Sequence, residues 1–399
     1  MRERTASTKR GANGGQRSAP ERVPLATVAR EWTRIGVTGF GGPPAHISLL
    51  RRLVVERERW MDARAFEDAV AACNLLPGPA SSQLMILCAY RLAGWRGAVL
   101  GGVGFILPAV AMVLALSVLF LASGAPTWVR GASAGAGAAV AAVAVRTGLD
   151  LLRPSLRRGR ADHRSRARAV AYLTAGALAA ALIGPELVLV LLGCGVLEVL
   201  IRRGRRPLLS AQPGLLAALP SAGGFGALAW TSFKVGALTF GGGFVIIPLM
   251  QGDAVHTYNW MTGEQFLTAV ALGQVTPGPV VATVAAVGYA AHGVAGSLFA
   301  AAVAFAPSFA FVLLAGGHFE RLRGNPRARS FLDGAGPAAN GAILGSSIPL
   351  AAALVDAWQA AVLAGAAVFL LVLRRGVVTT LLGAGVIGVG VALAGGPLP

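Results

Sequence analysis

Long segments without charge run through most of this sequence, and they limit what it can fold into. Only 13% of the residues are charged, whereas a soluble domain usually carries about 25%. A helix needs roughly 20 apolar residues to cross a bilayer, and shorter segments cross where the bilayer thins. The sequence therefore predicts an all-α polytopic membrane protein of about 10–14 membrane segments. The clearest apolar segments are 97–121, 128–152, 169–183, 186–201, 294–315, 331–350, 357–373 and 377–394.

The sequence also contains an internal repeat. Residues 34–42 align with 234–242, and the Pro-Gly-Pro segment 74–79 aligns with 274–279. A Trp-Met pair and several glycines and prolines match in the same order, which indicates two homologous units. The predicted organisation is a disordered basic cytoplasmic tail at 1–24, a first repeat at 25–205, a connector at 206–224 and a second repeat at 225–399.

The arginine distribution predicts how the repeats are oriented. A net charge of +18 could suggest nucleic-acid binding, but the arginines lie in short loops between apolar segments, as in cytoplasmic loops of membrane proteins. Equivalent loops differ: 51–59 is rich in arginine, whereas 251–263 has no lysine or arginine. This pattern predicts inverted topology, with a cytoplasmic N-terminus and an external C-terminus at a bacterial inner membrane. Inversion needs an odd number of membrane-spanning segments in each repeat. Either the segment with the Phe-Gly-Gly motif or the one with the Pro-Gly-Pro motif must supply the odd one, and which of them does so is left open by the sequence.

Two motifs, Phe-Gly-Gly and Pro-Gly-Pro, occur once in each repeat and interrupt apolar segments. Proline and glycine end helices there, and a new helix can begin just afterwards. Interrupted backbone inside a membrane is tolerated only within the protein or along a wet cavity, and a new helix N-terminus attracts anions. Matched breaks in two repeats predict a transport site, although the same residues could only kink or pack helices. The predicted binding residues are Gly41, Gly42, Asn74, Pro77, Gly78, Pro79, Ser81, Ser82, Gly241, Gly242, Gln274, Pro277, Gly278 and Pro279.

Polar and basic side chains flank these breaks. Arg34 and Lys234 occupy equivalent positions before the Phe-Gly-Gly motifs, and each could attract an anion or reach the lipid headgroups. His46 follows the first motif and could take part in proton coupling. Acidic residues embedded in the apolar segments look scarce, which favours an anionic substrate over a cation. The remaining candidate donors, each of which could instead bond its own backbone, are Thr38, Gln83, Thr239, Thr276 and Thr283.

Several functional classes lack support in the sequence. The cysteines Cys73, Cys88 and Cys194 show no metal-binding spacing, and no Walker, zinc-protease or nucleophile-elbow motif is present. We therefore expect neither an enzyme nor an ATP-driven pump, and no metal or cofactor.

The combined motifs resemble those of the chromate ion transporter family. The likeness runs through residues 36–43, 75–84 and 90–97 of the first repeat and 234–243 and 273–280 of the second, and the chain is similar to the long, two-domain form. The resemblance implies a secondary transporter that exports chromate, driven by protons or by the membrane potential, with sulfate as the close analogue. The family pattern more usually has glutamine at the position of Asn74, so a different anion is an open alternative. A membrane scaffold and a homodimer also remain open.

Overall fold

The computed structural model describes residues 23–74, 76, 78–122, 124–158, 163–182, 187–203, 224–239, 244–315 and 326–398. Throughout these ranges the regular secondary structure is helical. Three helices there are long and apolar enough to cross a membrane, Ala80–Phe120, Thr127–Leu152 and Val280–Leu314, and two shorter apolar helices lie at Ala357–Val372 and Val377–Leu393. The chain is an all-α polytopic membrane protein, as predicted. Most of the predicted tail and connector lies outside the described residues.

The first repeat begins with four helices that hold its two motifs. A π-helical turn, Arg52–Arg57, extends the second of them, and the fourth is kinked in its interior. The helices are α1 (Leu25–Thr38), α2 (Gly42–Arg51), α3 (Ala63–Cys73), α4 (Ala80–Phe120), α5 (Thr127–Ala138), α6 (Val140–Arg158), α7 (His163–Leu182) and α8 (Leu187–Arg203).

The second repeat follows the same order. A π-helical turn, Gly252–Thr257, again extends its second helix, and a short 3₁₀ turn, Val280–Thr283, leads into its long kinked helix. The helices are α9 (Phe225–Leu238), α10 (Ile246–Gln251), α11 (Gly263–Val275), α12 (Val284–Ala315), α13 (Pro326–Ala352), α14 (Ala357–Ala367) and α15 (Val377–Leu393).

The backbone repeats in detail as well as in order. Gly94 in α4 and Gly293 in α12 have φ angles of 67° and 61°, which glycine adopts without steric cost. They kink the two long helices at equivalent places. Asp62 caps the N-terminus of α3 and Thr262 that of α11, so both helices begin through side-chain acceptors for free N–H groups. The repeat read from the sequence is therefore present in the structure.

The two repeats interlock through helices that approach closely. Helix α4 packs against α12, α5 against α15, and α7 against α13. Small residues make this possible, because close approach of helix backbones needs glycine or alanine at the contact. Gly176 lies directly against the Ala338 carbonyl, and Gly388 against the Gly131 carbonyl. Each repeat therefore completes its packing only with the other.

Candidate functional site

Two reciprocal hydrogen bonds join the motifs of one repeat to those of the other. The Gly78 N–H donates to the Thr239 carbonyl at 3.0 Å, and the Gly278 N–H donates to the Gly39 carbonyl at 3.0 Å. Each bond links a Pro-Gly-Pro loop to the residue just before the opposite Phe-Gly-Gly motif. A contact that is exchanged in this way is what a two-fold rotation between the repeats produces. We call this pair of contacts the crossing.

The crossing requires glycine at both donors. Gly78 and Gly278 have φ angles of 113° and 96°, a region that residues with a Cβ rarely enter. A Cβ on Gly78 would lie 3.1 Å from the Gly236 carbonyl oxygen, and a Cβ on Gly278 would lie 2.7 Å from the Cβ of Ala109. The predicted role of these glycines as free anion donors therefore needs revision. In this structure both of their N–H groups bond to carbonyls of the opposite repeat.

Unsatisfied donors lie close to the crossing along the chain, Ser82 four residues after Gly78 and Gln274 four residues before Gly278. Ser82 is fully buried in the first turn of α4, and its hydroxyl finds no hydrogen-bond partner among the described residues. Gln274 is 9% exposed, and its Nε2 likewise has no acceptor in the described part of the chain. Buried polar groups are nearly always paired, so such groups call for a ligand or a water. Ser81 is buried beside Ser82, whereas Asn74 is exposed at the end of α3.

The first Phe-Gly-Gly motif starts a helix next to the second Pro-Gly-Pro loop. Helix α2 begins at Gly42, with prolines at its first positions, and Gly41 has a left-handed conformation, as the sequence predicted. A Cβ on Gly42 would lie 3.9 Å from the Cγ2 atom of Val280, just beyond Pro279. The two motifs thus meet across the repeats. Pro77, Gly241 and Gly242 lie outside the described residues, so their predicted roles stay predictions.

His46 makes the crossing asymmetric. Its Nε2 lies 2.9 Å from the Gly39 carbonyl oxygen, the same oxygen that accepts the Gly278 N–H. A carbonyl can only accept, so Nε2 carries the hydrogen. His46 is fully buried, and its Nδ1 has no partner among the residues that the structure describes. The equivalent residue of the second repeat is Ile246.

The two predicted cations differ in their surroundings. The Arg34 side chain is 63% exposed, and its Nη1 lies 3.7 Å from the Glu31 Oε2. Interaction with lipid headgroups therefore fits Arg34 better than direct anion binding. Lys234 is buried and pairs with the buried Asp253 at 2.5 Å. The expectation of scarce embedded acids overlooked Glu31 and Asp253, which are 4% and 3% exposed. Asp253 lies within the apolar stretch 245–255, and its position there was the signal from which its burial could have been predicted.

Several predicted donors bond within their own helices or turns. The Thr38 hydroxyl donates to the Arg34 carbonyl at 2.8 Å, and the Thr283 hydroxyl to that of Val280 at 2.7 Å. Thr239 and Thr276 bond Val235 and Gly273 in the same way. Because these hydroxyls donate locally, they offer no free proton to a substrate in this conformation.

A polar cavity that the sequence did not predict opens near one end of α11. It has a volume of about 410 Å³ and lies between the loop after α4, the start of α5 and the start of α11. Its polar lining includes Arg130, Ser133, Glu264, Thr268 and Gln359. Since α11 ends at Val275, next to the second Pro-Gly-Pro loop, this helix connects the cavity to the crossing. No cluster of three or more His, Cys, Asp or Glu residues suited to a metal occurs in the described ranges.

Comparison with known proteins gives a consistent result. The family model for chromate transporters matches residues 26–199 and 226–389. The chromate transport protein of Cupriavidus metallidurans is 33% identical over 85% of this chain and 86% of its own length. The chromate transport protein of Pseudomonas aeruginosa is 30% identical over 84% and 83%, and the probable chromate transport protein of Synechococcus elongatus is 30% identical over 82% and 84%. No solved structure matches the chain at a significant level.

Proposed function

Because this chain belongs to the chromate transporter family, we propose that it is a secondary transporter that exports chromate across a bacterial inner membrane. The observation that carries the proposal is the crossing, where the interrupted helices of both repeats meet. Ser82 and Gln274 each have an unsatisfied buried donor, and they lie four residues after Gly78 and four residues before Gly278 in the chain. Interrupted helices at matched places of two repeats are where secondary transporters bind substrate. The substrate is a tetrahedral dianion, which gains from hydrogen-bond donors and helix N-termini.

The membrane potential can drive this export. Moving one elementary charge through 100 mV is worth about 2.3 kcal/mol, so a dianion leaving a negative interior gains roughly 4.6 kcal/mol. That corresponds to a concentration ratio of about a thousandfold. Proton coupling is a second source of energy, and the buried His46 at the crossing is the residue best placed to respond to it.

Alternating access follows from two units that rock about a shared site. The exchanged hydrogen bonds support a two-fold relation between the repeats, and the opposite arginine content of equivalent loops supports an axis in the membrane plane. In this arrangement the N-terminus is cytoplasmic and the C-terminus external. The polar cavity beside Arg130 then forms one mouth of the pathway.

Uptake by inside-out membrane vesicles tests the proposal. Vesicles from a host that lacks its own chromate carrier should accumulate radiolabelled chromate when respiration makes their interior positive. Sulfate should compete, since it shares the charge and shape of chromate. Vesicles with empty vector give the control. Uptake no faster than this control under a potential or a pH gradient would exclude export, and uptake of sulfate without chromate would favour the sulfate alternative.

Removing an unsatisfied donor should weaken substrate binding without weakening the fold. A hydrogen bond to a charged group contributes about 1.5–3 kcal/mol, so Ser82→Ala and Gln274→Leu should each raise the KM for chromate by roughly tenfold or more. Ser117→Ala is the matched control, because Ser117 is also buried in α4 but donates to the Val113 carbonyl at 2.7 Å. Equal KM values for Ser82→Ala and Ser117→Ala would refute a substrate contact at Ser82.

A further inference from the structure

A buried ion pair lies close to the crossing in the second repeat. Lys234 of α9 and Asp253 of the π-helical turn are 6% and 3% exposed, and the Lys234 Nζ lies 2.5 Å from the Asp253 Oδ2. The Thr231 hydroxyl donates to the same oxygen at 2.6 Å. Lys234 also sits over the Trp230 ring, 5.6 Å from its centroid. One carboxylate oxygen thus accepts from both an ammonium and a hydroxyl, and both of these donors lie on α9.

The first repeat has a different arrangement at the same place. Leu53 occupies the position of Asp253, and Glu31 occupies that of Thr231. Glu31 accepts from Arg57 of the π-helical turn at 3.1 Å, and the Arg57 side chain is 49% exposed. Both repeats therefore join their first helix to their π-helical turn by an ion pair, but the charges are reversed. Only the second repeat buries both partners and places the cation on the helix that reaches the crossing.

Stability does not explain the buried pair. Apolar residues of similar size often replace a buried ion pair without loss, because desolvation offsets the attraction. The first repeat shows that leucine fits this position, since Leu53 is buried there. Ionisable residues inside a membrane protein usually serve transport. π-Helical turns also occur frequently at functional sites.

The pair lies within two helical turns of the crossing. Lys234 precedes Gly236 by two residues, and the Gly236 carbonyl is the group that would meet a Cβ on Gly78 at 3.1 Å. Thr239, five residues after Lys234, accepts the Gly78 N–H. A movement of α9 that opens the crossing therefore also moves Lys234 and Thr231.

We propose that Lys234 and Thr231 form an anion-binding pair that the Asp253 carboxylate fills in this conformation. The donors that hold Asp253 are an ammonium and a hydroxyl, and an oxygen of a tetrahedral oxyanion takes the same two. The transported oxyanion exchanges with Asp253, and the carboxylate returns to Lys234 when the substrate leaves. The Trp230 ring keeps the ammonium in place during the exchange. This inference deepens the proposed function and rests on it.

Thermal unfolding of the purified protein and chromate uptake together test the exchange. Sulfate, the probe, should raise the Tm of the wild type, because a ligand that binds only the folded state stabilises it. Asp253→Asn removes the internal competitor, so a given sulfate-induced Tm shift should be reached at a concentration about tenfold lower. Chromate uptake by this variant should be slower. Lys234→Met combined with Asp253→Leu keeps the site neutral and should lose both the sulfate shift and chromate uptake. Lys234→Arg keeps the positive charge and introduces the residue found at the equivalent position 34 of the first repeat. This variant should retain uptake.

The matched control neutralises the ion pair of the first repeat. Glu31→Gln with Arg57→Gln should leave the sulfate response unchanged. The inference is overturned if the wild type transports chromate and the Lys234→Met, Asp253→Leu variant does so with the same KM. A wild type that neither responds to sulfate nor takes up chromate would instead refute the proposed function. If the double variant fails to fold, an unchanged sulfate response in Asp253→Asn overturns the inference by itself.

Discussion

Replacing Gly78 and Gly278 together with alanine is expected to abolish chromate transport while the protein still inserts into the membrane. Both residues have positive φ angles, 113° and 96°, and a residue with a Cβ in such a conformation costs about 1–3 kcal/mol. The added methyl groups would also press on the opposite side of the crossing, 3.1 Å from the Gly236 carbonyl oxygen and 2.7 Å from the Cβ of Ala109. The two loops would move apart, and the hydrogen bonds that join the two repeats at the crossing would be lost.

Gly94→Ala separates backbone strain from loss of the crossing. Gly94 has a φ of 67°, but a Cβ there would meet no atom of the described residues within 4 Å. This variant should lose some thermal stability and keep most of its transport. Vesicle uptake and the amount of folded protein in the membrane, measured for all variants, decide the outcome. Full transport by the Gly78→Ala, Gly278→Ala variant would show that the crossing is not needed.

Cysteines at positions 56 and 256 should react from opposite sides of the membrane. Glu56 and His256 are equivalent and exposed residues of the two π-helical turns. The first lies in an arginine-rich loop and the second in a loop without lysine or arginine, and cytoplasmic loops hold the positive charge. A membrane-impermeant maleimide added to intact cells should therefore label His256→Cys and leave Glu56→Cys unlabelled.

Inside-out vesicles supply the reverse measurement. In these vesicles Glu56→Cys should react and His256→Cys should not. The natural cysteines Cys73, Cys88 and Cys194 are buried, so the unmodified protein gives the background. Labelling of both positions from the same side would show that the repeats are parallel. The site would then lack a two-fold axis in the membrane plane, and the rocking proposal would have to be abandoned.

The sequence predicted the features that depend on local composition and pattern. These features are the apolar segments, the repeat and the helix start at Gly42. Each depends on residue types that permit only a few backbone conformations or environments. Glycine and proline constrain the backbone wherever they occur, so the breaks could be placed without knowing what surrounds them.

The contacts across the crossing could not be predicted in the same way. The partner of the Gly78 N–H is Thr239 in the other repeat, and its identity depends on how α12 packs against both α4 and α9. The pattern of residues predicts a substrate contact for that N–H, because an isolated helix start has no acceptor for it. The pairing of Lys234 with Asp253 likewise depends on the fold. A residue's charge can be read from the sequence, but the neighbour that neutralises it depends on the fold.

The close packing of α7 on α13 has a consequence for how the protein is made. Gly176 packs against the Ala338 carbonyl. The ribosome adds Ala338 only 162 residues after Gly176, since 338 − 176 = 162. At 5–20 residues per second this interval lasts about 10–30 s. During that time the surface of α7 around Gly176 lacks the helix against which it packs in the complete fold. We therefore expect membrane chaperones or quality-control proteases to have this interval in which to act on a first repeat whose packing is incomplete.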